Sequence, residues 1–305
     1  MTAKPHFSAG SGVPLVTPFR DGAIDFDAFA ALIEFQIEAG TDALIICGST
    51  GENQALSLAE RAQQIELAIE MARGRIAIIA ATGCETEAET LALGASATAA
   101  GADGLLVITP RATSAAQEGV LAYLSAVAAR TDLPVYIYNY PARTQVDISA
   151  ETIERLAFAH PNVIGLKQTD ANLGLITQVR RRLGPDFCIF CGIEQFALSG
   201  LALGSAGMIT ASGNIVPRQV GDLYRTFRAG NLKGARRLHD GLSELFDAVV
   251  FAESSPAAAL KYLLCQNGRI PTNEHRLPSL PPSASEAQRL DAALATVADA
   301  VPALP

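Results

Sequence analysis

Short apolar runs, each followed by a longer amphipathic or alanine-rich stretch, recur eight times along this chain. That beat restricts the possible folds more than any other feature. The runs are "VPLVT" from 13, "ALIIC" from 43, "IAIIAA" from 76, "LLVIT" from 105, "PVYIY" from 134, "VIGLK" from 163, "FCIFC" from 187 and "AGMIT" from 206. They are rich in β-branched residues and too short for helices, so they read as strands. Segments between them, such as "DFDAFAALIEFQIEAG" and "SLAERAQQIELAIEMARG", have the acidic starts and glycine ends of helices. Strands alternating with helices build βαβ units and a parallel sheet. Eight of them at roughly 20–33 residue spacing fit a closed α/β (β/α)8 barrel. An open doubly wound sheet is the runner-up, but no G-x-G-x-x-G follows the first run. The strand signal stops near residue 215, which predicts a barrel over 10–215 and a helical region over 216–305.

Composition excludes several functions. With 49% hydrophobic and 18% charged residues in 305, the chain can bury a large core. A net charge of −8, with no basic stripe, argues against nucleic acid or an anionic membrane as partner. The opening "MTAKPHFSAGSG" lacks the apolar core of a signal peptide, and no apolar stretch reaches spanning length uninterrupted. A cytoplasmic location is expected. The odd count of five cysteines argues against a disulfide framework. Cys188 and Cys191 form a C-x-x-C, but on a strand an odd separation sends them to opposite faces. The four histidines are scattered, so no metal ligand set is visible.

In barrels of this kind the active site lies at the C-terminal ends of the strands, and the unusual polar residues gather there. Strand 1 ends at Thr17, strand 2 runs into "GSTGEN", and strand 5 ends at Tyr138 before "NYPART". Strand 6 ends at Lys167, strand 7 runs into "GIEQ", and strand 8 ends at Thr210. A lysine out of water is costly unless it is paired or gives up its proton. Desolvation lowers its pKa and frees an amine that attacks a ketone, giving a Schiff base. Such chemistry needs a proton shuttle, for which Tyr138 is placed. It also needs an anion cradle, which the N–H groups and hydroxyls of "GSTGE" can form. Each feature alone has a plainer explanation: a solvated strand end, a packed aromatic, a turn, or a surface ion pair for Arg143. Their convergence at one end of the barrel favours an enzyme.

The stretches "GVPLVTPF", "CGSTGENQALS", "YNYPART", "GLKQTD" and "GSAGMITASGN" occur in this order. The chain thereby resembles, over about residues 10–290, the N-acetylneuraminate lyase and dihydrodipicolinate synthase superfamily of pyruvate-dependent class I aldolases. The resemblance implies a barrel with C-terminal helices and no cofactor, since the lysine is itself the electron sink. It implies a homotetramer or dimer. It assigns the Schiff-base lysine to Lys167, the proton-relaying tyrosine to Tyr138, and the hydroxyl pair to Ser49 and Thr50, with Ser49 where threonine is usual. Ile209 corresponds to the residue whose carbonyl lines the lysine pocket, and Arg143 to an arginine that supports the second substrate's carboxylate. Further substrate contacts are expected from Thr17, Gly48 and Glu194.

Departures bear on the second substrate. Arg111 and Ala112 stand where an aromatic relay residue is usual, Gln145 replaces a glycine, and "GIEQ" replaces an acidic pair. The nearest label is a pyruvate-dependent synthase of the dihydrodipicolinate type. The alternative is an aldolase or dehydratase acting on a 2-keto-3-deoxy sugar acid. A keto-acid-binding barrel with little turnover is the alternative of another class. Leu58, Arg61 and Glu85 occupy positions where polar ligands of a lysine feedback site would be expected. Millimolar lysine is therefore expected to leave the rate unchanged, and a dose-dependent loss would refute that.

Overall fold

The computed structural model describes residues 6–111 and 116–300. Eight strands form one closed parallel barrel. They are β1 (Gly10–Pro14), β2 (Ala43–Ile46), β3 (Ala77–Ala81) and β4 (Gly104–Ile108), then β5 (Val135–Asn139), β6 (Val163–Gln168), β7 (Cys188–Cys191) and β8 (Gly207–Ile209). β8 closes the ring by pairing with β1, Gly10 opposite Gly207. All eight sequence runs are strands of this barrel. A small antiparallel hairpin, Phe19–Arg20 with Ala23–Ile24, follows β1 and is an addition to the expected pattern.

Alternation along each strand separates two apolar layers. Ile45, Ile79, Leu106, Tyr136, Tyr138 and Phe190 fill the barrel interior. Leu44, Ile46, Ile78, Ile137 and Leu166 face the surrounding helices. Cys188 joins the inner layer and Cys191 the outer one, so the C-x-x-C thiols diverge and both are free. The floor is sealed by Phe7, stacked on Phe190 at 4.5 Å, and by the Tyr136 hydroxyl, which donates to the Phe7 carbonyl at 2.7 Å.

One irregularity decides the position of Lys167. Val135 pairs with Val163, but the next residue, Tyr136, pairs with Gly165. Ile164 is thus an extra residue in β6, a bulge. Val163 packs outward, so strict alternation would also turn 165 and 167 outward. The bulge resets the phase. Gly165 comes to face the Tyr136 ring, where a Cβ would lie 2.7 Å from Cδ1, and Lys167 comes to pair with Tyr138 of the inner layer.

The helices are α1 (Phe26–Ala39), α2 (Leu58–Ala72), α3 (Glu87–Ala100), α4 (Gln117–Ala128), the short α5 (Pro141–Thr144), α6 (Ala150–Ala159), α7 (Gly174–Leu183), α8 (Ala197–Ala202), α9 (Pro217–Arg228), α10 (Leu232–Val250), α11 (Pro256–Gln266) and α12 (Ala284–Ala300). Their ends carry the expected chemistry. Asp25 caps α1 and Gly40 closes it in the left-handed region, while Ser57 and Glu60 form a capping box on α2. Such a cap stabilises by about 1 kcal/mol. α9 packs on β1 and α1 and so completes the ring of barrel helices. The expected division at 215 falls between the loop after β8 and α9, and α9 also packs on α10. Beyond it, α10 and α11 are seated on the loops after β7 and β8, and α12 packs on both. Among the described residues no helix is long and apolar enough to cross a membrane.

Candidate active site

A cavity of about 580 Å³ opens at the C-terminal ends of the strands. Its walls include Ser49, Thr50, Tyr138, Arg143, Lys167, Glu194 and Ile209, so seven of the expected site residues meet there. Lys167 is 6% exposed, has no ion-pair partner among the described residues, and stands with Nζ 4.5 Å over the Tyr138 ring centre. Burial holds the Lys167 pKa down to about 8, against the opposing pull of Glu194 and Cys191. It is a desolvated amine whose neutral form is accessible near physiological pH. The space around it is reserved by Gly192, where a Cβ would lie 3.0 Å from Lys167 Cε and 2.0 Å from Thr169 Oγ1.

Tyr138 is buried, and burial raises its pKa while the hydroxyls of Ser49 and Thr169 and the charge of Arg143 pull it back. The phenol therefore keeps its proton at neutral pH and is equipped to pass protons among hydroxyls. Tyr140 stacks behind it at 5.8 Å. Thr169 also lines the cavity, with its hydroxyl turned to that of Tyr138. Sequence reasoning passed over this residue, although it lies two positions beyond Lys167 in "GLKQTD" and so on the same strand face.

Glu194 is 1% exposed, and burial raises its carboxyl to about 7. Its Oε1 accepts the Ser212 N–H at 2.6 Å, and its Oε2 accepts the Ser212 hydroxyl. Ser212, from the loop after β8, thus orients the acid and was not anticipated. Arg143 is half-buried on α5 and donates to Asn53 Oδ1 at 3.3 Å. Gln145 ends that helix at φ 60°, a left-handed conformation that costs a non-glycine side chain about 1 kcal/mol or more. The usual glycine at this position has a conformational reason.

Thr17 and Gly48 do not line the cavity. Thr17 turns behind the loop that follows β2, where its hydroxyl donates to the Gly51 carbonyl at 2.7 Å and accepts from Gln64 Nε2 at 3.1 Å. Gly48 has no side chain to offer, and its carbonyl is taken by the Gly51 N–H at 3.1 Å. Both support the site from outside. Ala112 lies outside the described residues. Arg111 is exposed and lines a second cavity of about 540 Å³ with Leu58, Arg61, Glu85 and Arg143. Arg61 is buried there, donating to the Ala81 and Gly83 carbonyls at 2.8 and 3.2 Å and to Cys84 Sγ at 3.0 Å.

The barrel and its sequence have counterparts among known proteins. The 4-hydroxy-tetrahydrodipicolinate synthase of Sorangium cellulosum is 40% identical over 288 residues, 94% of this chain and 95% of its own. The structure of the 4-hydroxy-tetrahydrodipicolinate synthase from Methylacidiphilum fumariolicum superposes with a TM-score of 0.93 at 32% identity, covering 96% of this chain and 97% of that one. YagE, an Escherichia coli prophage protein solved in complex with pyruvate, superposes with a TM-score of 0.90 at 28% identity, covering 95% of this chain and 98% of that one. The profile of the dihydrodipicolinate synthetase family matches residues 7–297. Fold and sequence agree over nearly the whole length, and this chain belongs to the dihydrodipicolinate synthetase family.

Proposed function

We propose that this chain is a pyruvate-dependent Schiff-base enzyme of the dihydrodipicolinate synthase type, joining or cleaving a carbon–carbon bond next to an α-keto acid. The observation that carries this reading is Lys167, buried without a carboxylate ion-pair partner among the described residues and standing over Tyr138 in a cavity that also holds the Ser49 and Thr50 hydroxyls. The neutral amine adds to the keto carbon, water leaves, and the iminium withdraws electrons so that a methyl proton is lost to give an enamine. The enamine carbon then attacks an aldehyde, and hydrolysis returns the amine. Tyr138 and Ser49 pass the protons between these steps. Thr50 and the loop N–H groups hold the pyruvyl carboxylate, the Ile209 carbonyl borders the amine, and Arg143 meets an anionic group on the second substrate.

A second reading within the same chemistry rests on Glu194. A buried carboxyl raised to about 7 on the cavity wall can give or take a proton at a substrate hydroxyl. That favours a 2-keto-3-deoxy sugar acid as the substrate of an aldolase or dehydratase. Borohydride added with pyruvate is expected to leave a reduced pyruvyl adduct on Lys167, read by peptide mass spectrometry and absent in Lys167→Ala. No adduct under conditions that label a known family member would sink the Schiff-base reading. Turnover with aspartate semialdehyde, against a panel of 2-keto-3-deoxy acids, separates the two substrates. Tight pyruvate binding without product from any of them would leave a binding protein. We place the enzyme in the cytoplasm as a homotetramer or dimer on family likeness, which fractionation and sedimentation check.

A further inference from the structure

The loop that presents Ser49 and Thr50 is not self-supporting. It begins at Cys47 with φ 60° and ends at Glu52 with φ 55°, both left-handed and neither a glycine. Each costs of order 1–2 kcal/mol and persists only where the surroundings fix it. Within the loop, the Glu52 N–H donates to the Ser49 carbonyl at 3.1 Å, so Glu52 and Ser49 move together. A Cβ at Gly51 would lie 2.9 Å from the Leu15 carbonyl, so the chain is pressed against β1 with no slack.

The near end of the loop is held by the barrel: Cys47 Sγ contacts Gln64 Oε1 at 3.4 Å, and Thr17 holds the Gly51 carbonyl. The far end is held by the C-terminal region. Glu52 Oε1 accepts from Lys261 Nζ of α11 at 2.6 Å, across 209 positions of sequence. Lys261 is fully buried, with Nζ 4.4 Å over the Phe19 ring. His275, whose side chain is also buried, has Nδ1 3.5 Å from Glu52 Oε2. Burial pushes the Glu52 carboxyl up, but His275 and Lys261 outweigh it and keep it below the usual range. Four residues before Lys261, Ala257 lines the cavity beside Glu52, Ser49 and Thr50. A buried ion pair is a weak source of stability, because desolvation cancels most of its attraction. What it supplies is a fixed distance.

We propose that the Glu52–Lys261 pair, with His275 beside it, is a positioning device that sets the Ser49 and Thr50 hydroxyls against Tyr138 and couples the C-terminal helices to the chemistry at Lys167. This rests on the Schiff-base function proposed above. Neither Glu52 nor Lys261 touches the reacting atoms in this scheme. They act through the loop, and a displacement of about 1 Å in such a loop is worth on the order of 100-fold in rate.

The test is the full-length Glu52→Leu/Lys261→Met double variant, with both charges replaced by apolar groups so that neither is left buried alone. The unfolding temperature, kcat, and KM for pyruvate are measured, with kcat normalised to sites that form the borohydride adduct on Lys167. The expected result is an unfolding temperature near that of the parent, kcat lower by about 10–100-fold, and KM for pyruvate higher several-fold. A purely structural role would lower the number of active sites and leave kcat per site unchanged. A folded double variant with parental kcat and KM overturns the proposal. If the double variant does not fold, Glu52→Gln decides, since it keeps the size and one acceptor for Lys261. A several-fold loss of kcat per site supports the pin, and an unchanged kcat overturns it. A parent protein that forms no adduct at all refutes the Schiff-base function instead, so the two failures are told apart.

Discussion

Replacing Lys167 by methionine is expected to abolish turnover and to make the protein harder to unfold. The activity loss follows from removing the proposed nucleophile, and should be on the order of 10⁴-fold or more. The gain in stability follows from burial. The fold lowers the Lys167 pKa from 10.5 to about 8. At about 1.4 kcal/mol for each pH unit, the protonated lysine costs the native state roughly 3 kcal/mol. Below about pH 8 the amine is protonated in both states and that cost is borne in full. Between about 8 and 10.5 the unfolded chain holds a proton that the native protein has lost, so stability rises with pH through that window. Above it the amine is neutral in both states and the cost is gone. Methionine fills the same channel without the charge. Lys167→Met should therefore gain about 1–3 kcal/mol at pH 7, with the advantage fading from pH 8 to 10.5. Denaturant titrations of both proteins at pH 7 and pH 10 measure it. A variant no more stable than the parent at pH 7 would mean that Lys167 has a compensating partner in solution.

Tyr138→Phe carries the second large effect. The ring that supports the lysine stays, so the fold and the cavity shape are retained. Only the hydroxyl facing Ser49 and Thr169 is lost. Because burial keeps the phenol protonated at neutral pH, its part in the reaction is to relay protons rather than to act as a standing base. Removing such a group typically costs about 10²–10⁴-fold. The loss should appear in kcat, with little change in KM for pyruvate, since the proposed carboxylate cradle is made by Thr50 and the loop N–H groups and not by the phenol. Steady-state kinetics at saturating pyruvate check this. A kcat within a factor of about two of the parent would remove Tyr138 from the proton path.

The barrel was legible because eight apolar runs cannot be buried separately, and the site was legible because a barrel gathers its strand ends. Lys167, Tyr138, Ser49, Thr50, Arg143, Glu194 and Ile209 all reach one cavity for that reason. What escaped was contact between side chains distant in sequence. Thr17 ends β1 as a substrate-facing hydroxyl would, but the Gly51 carbonyl captures it. Ser212 lies in "TASGN", where nothing announces that Glu194 will dock on it. Lys261 in "SPAAALKYLL" looks like the solvated lysine of an amphipathic helix, yet it is fully buried against Glu52. Polar residues reveal their role only once their partners are known, whereas apolar periodicity reveals its own.

The extra residue at Ile164 gives the sixth strand a parity. Counting from Val163, an even number of steps to the lysine should put it on the helix side of the barrel wall, where an ammonium would be driven into a sealed apolar layer. The bulge makes the count odd in effect, and the lysine emerges into the cavity. The side of the wall on which Lys167 emerges thus depends on the bulge as much as on the residue. A chain one residue shorter at this point, with no bulge, would bring the same lysine into the cavity by plain alternation, whereas a chain that kept the residue and lost the bulge would turn it into the helix layer. Among relatives of this fold, a gap of one position ahead of the lysine is expected to come with a regular strand and to leave the lysine facing the cavity.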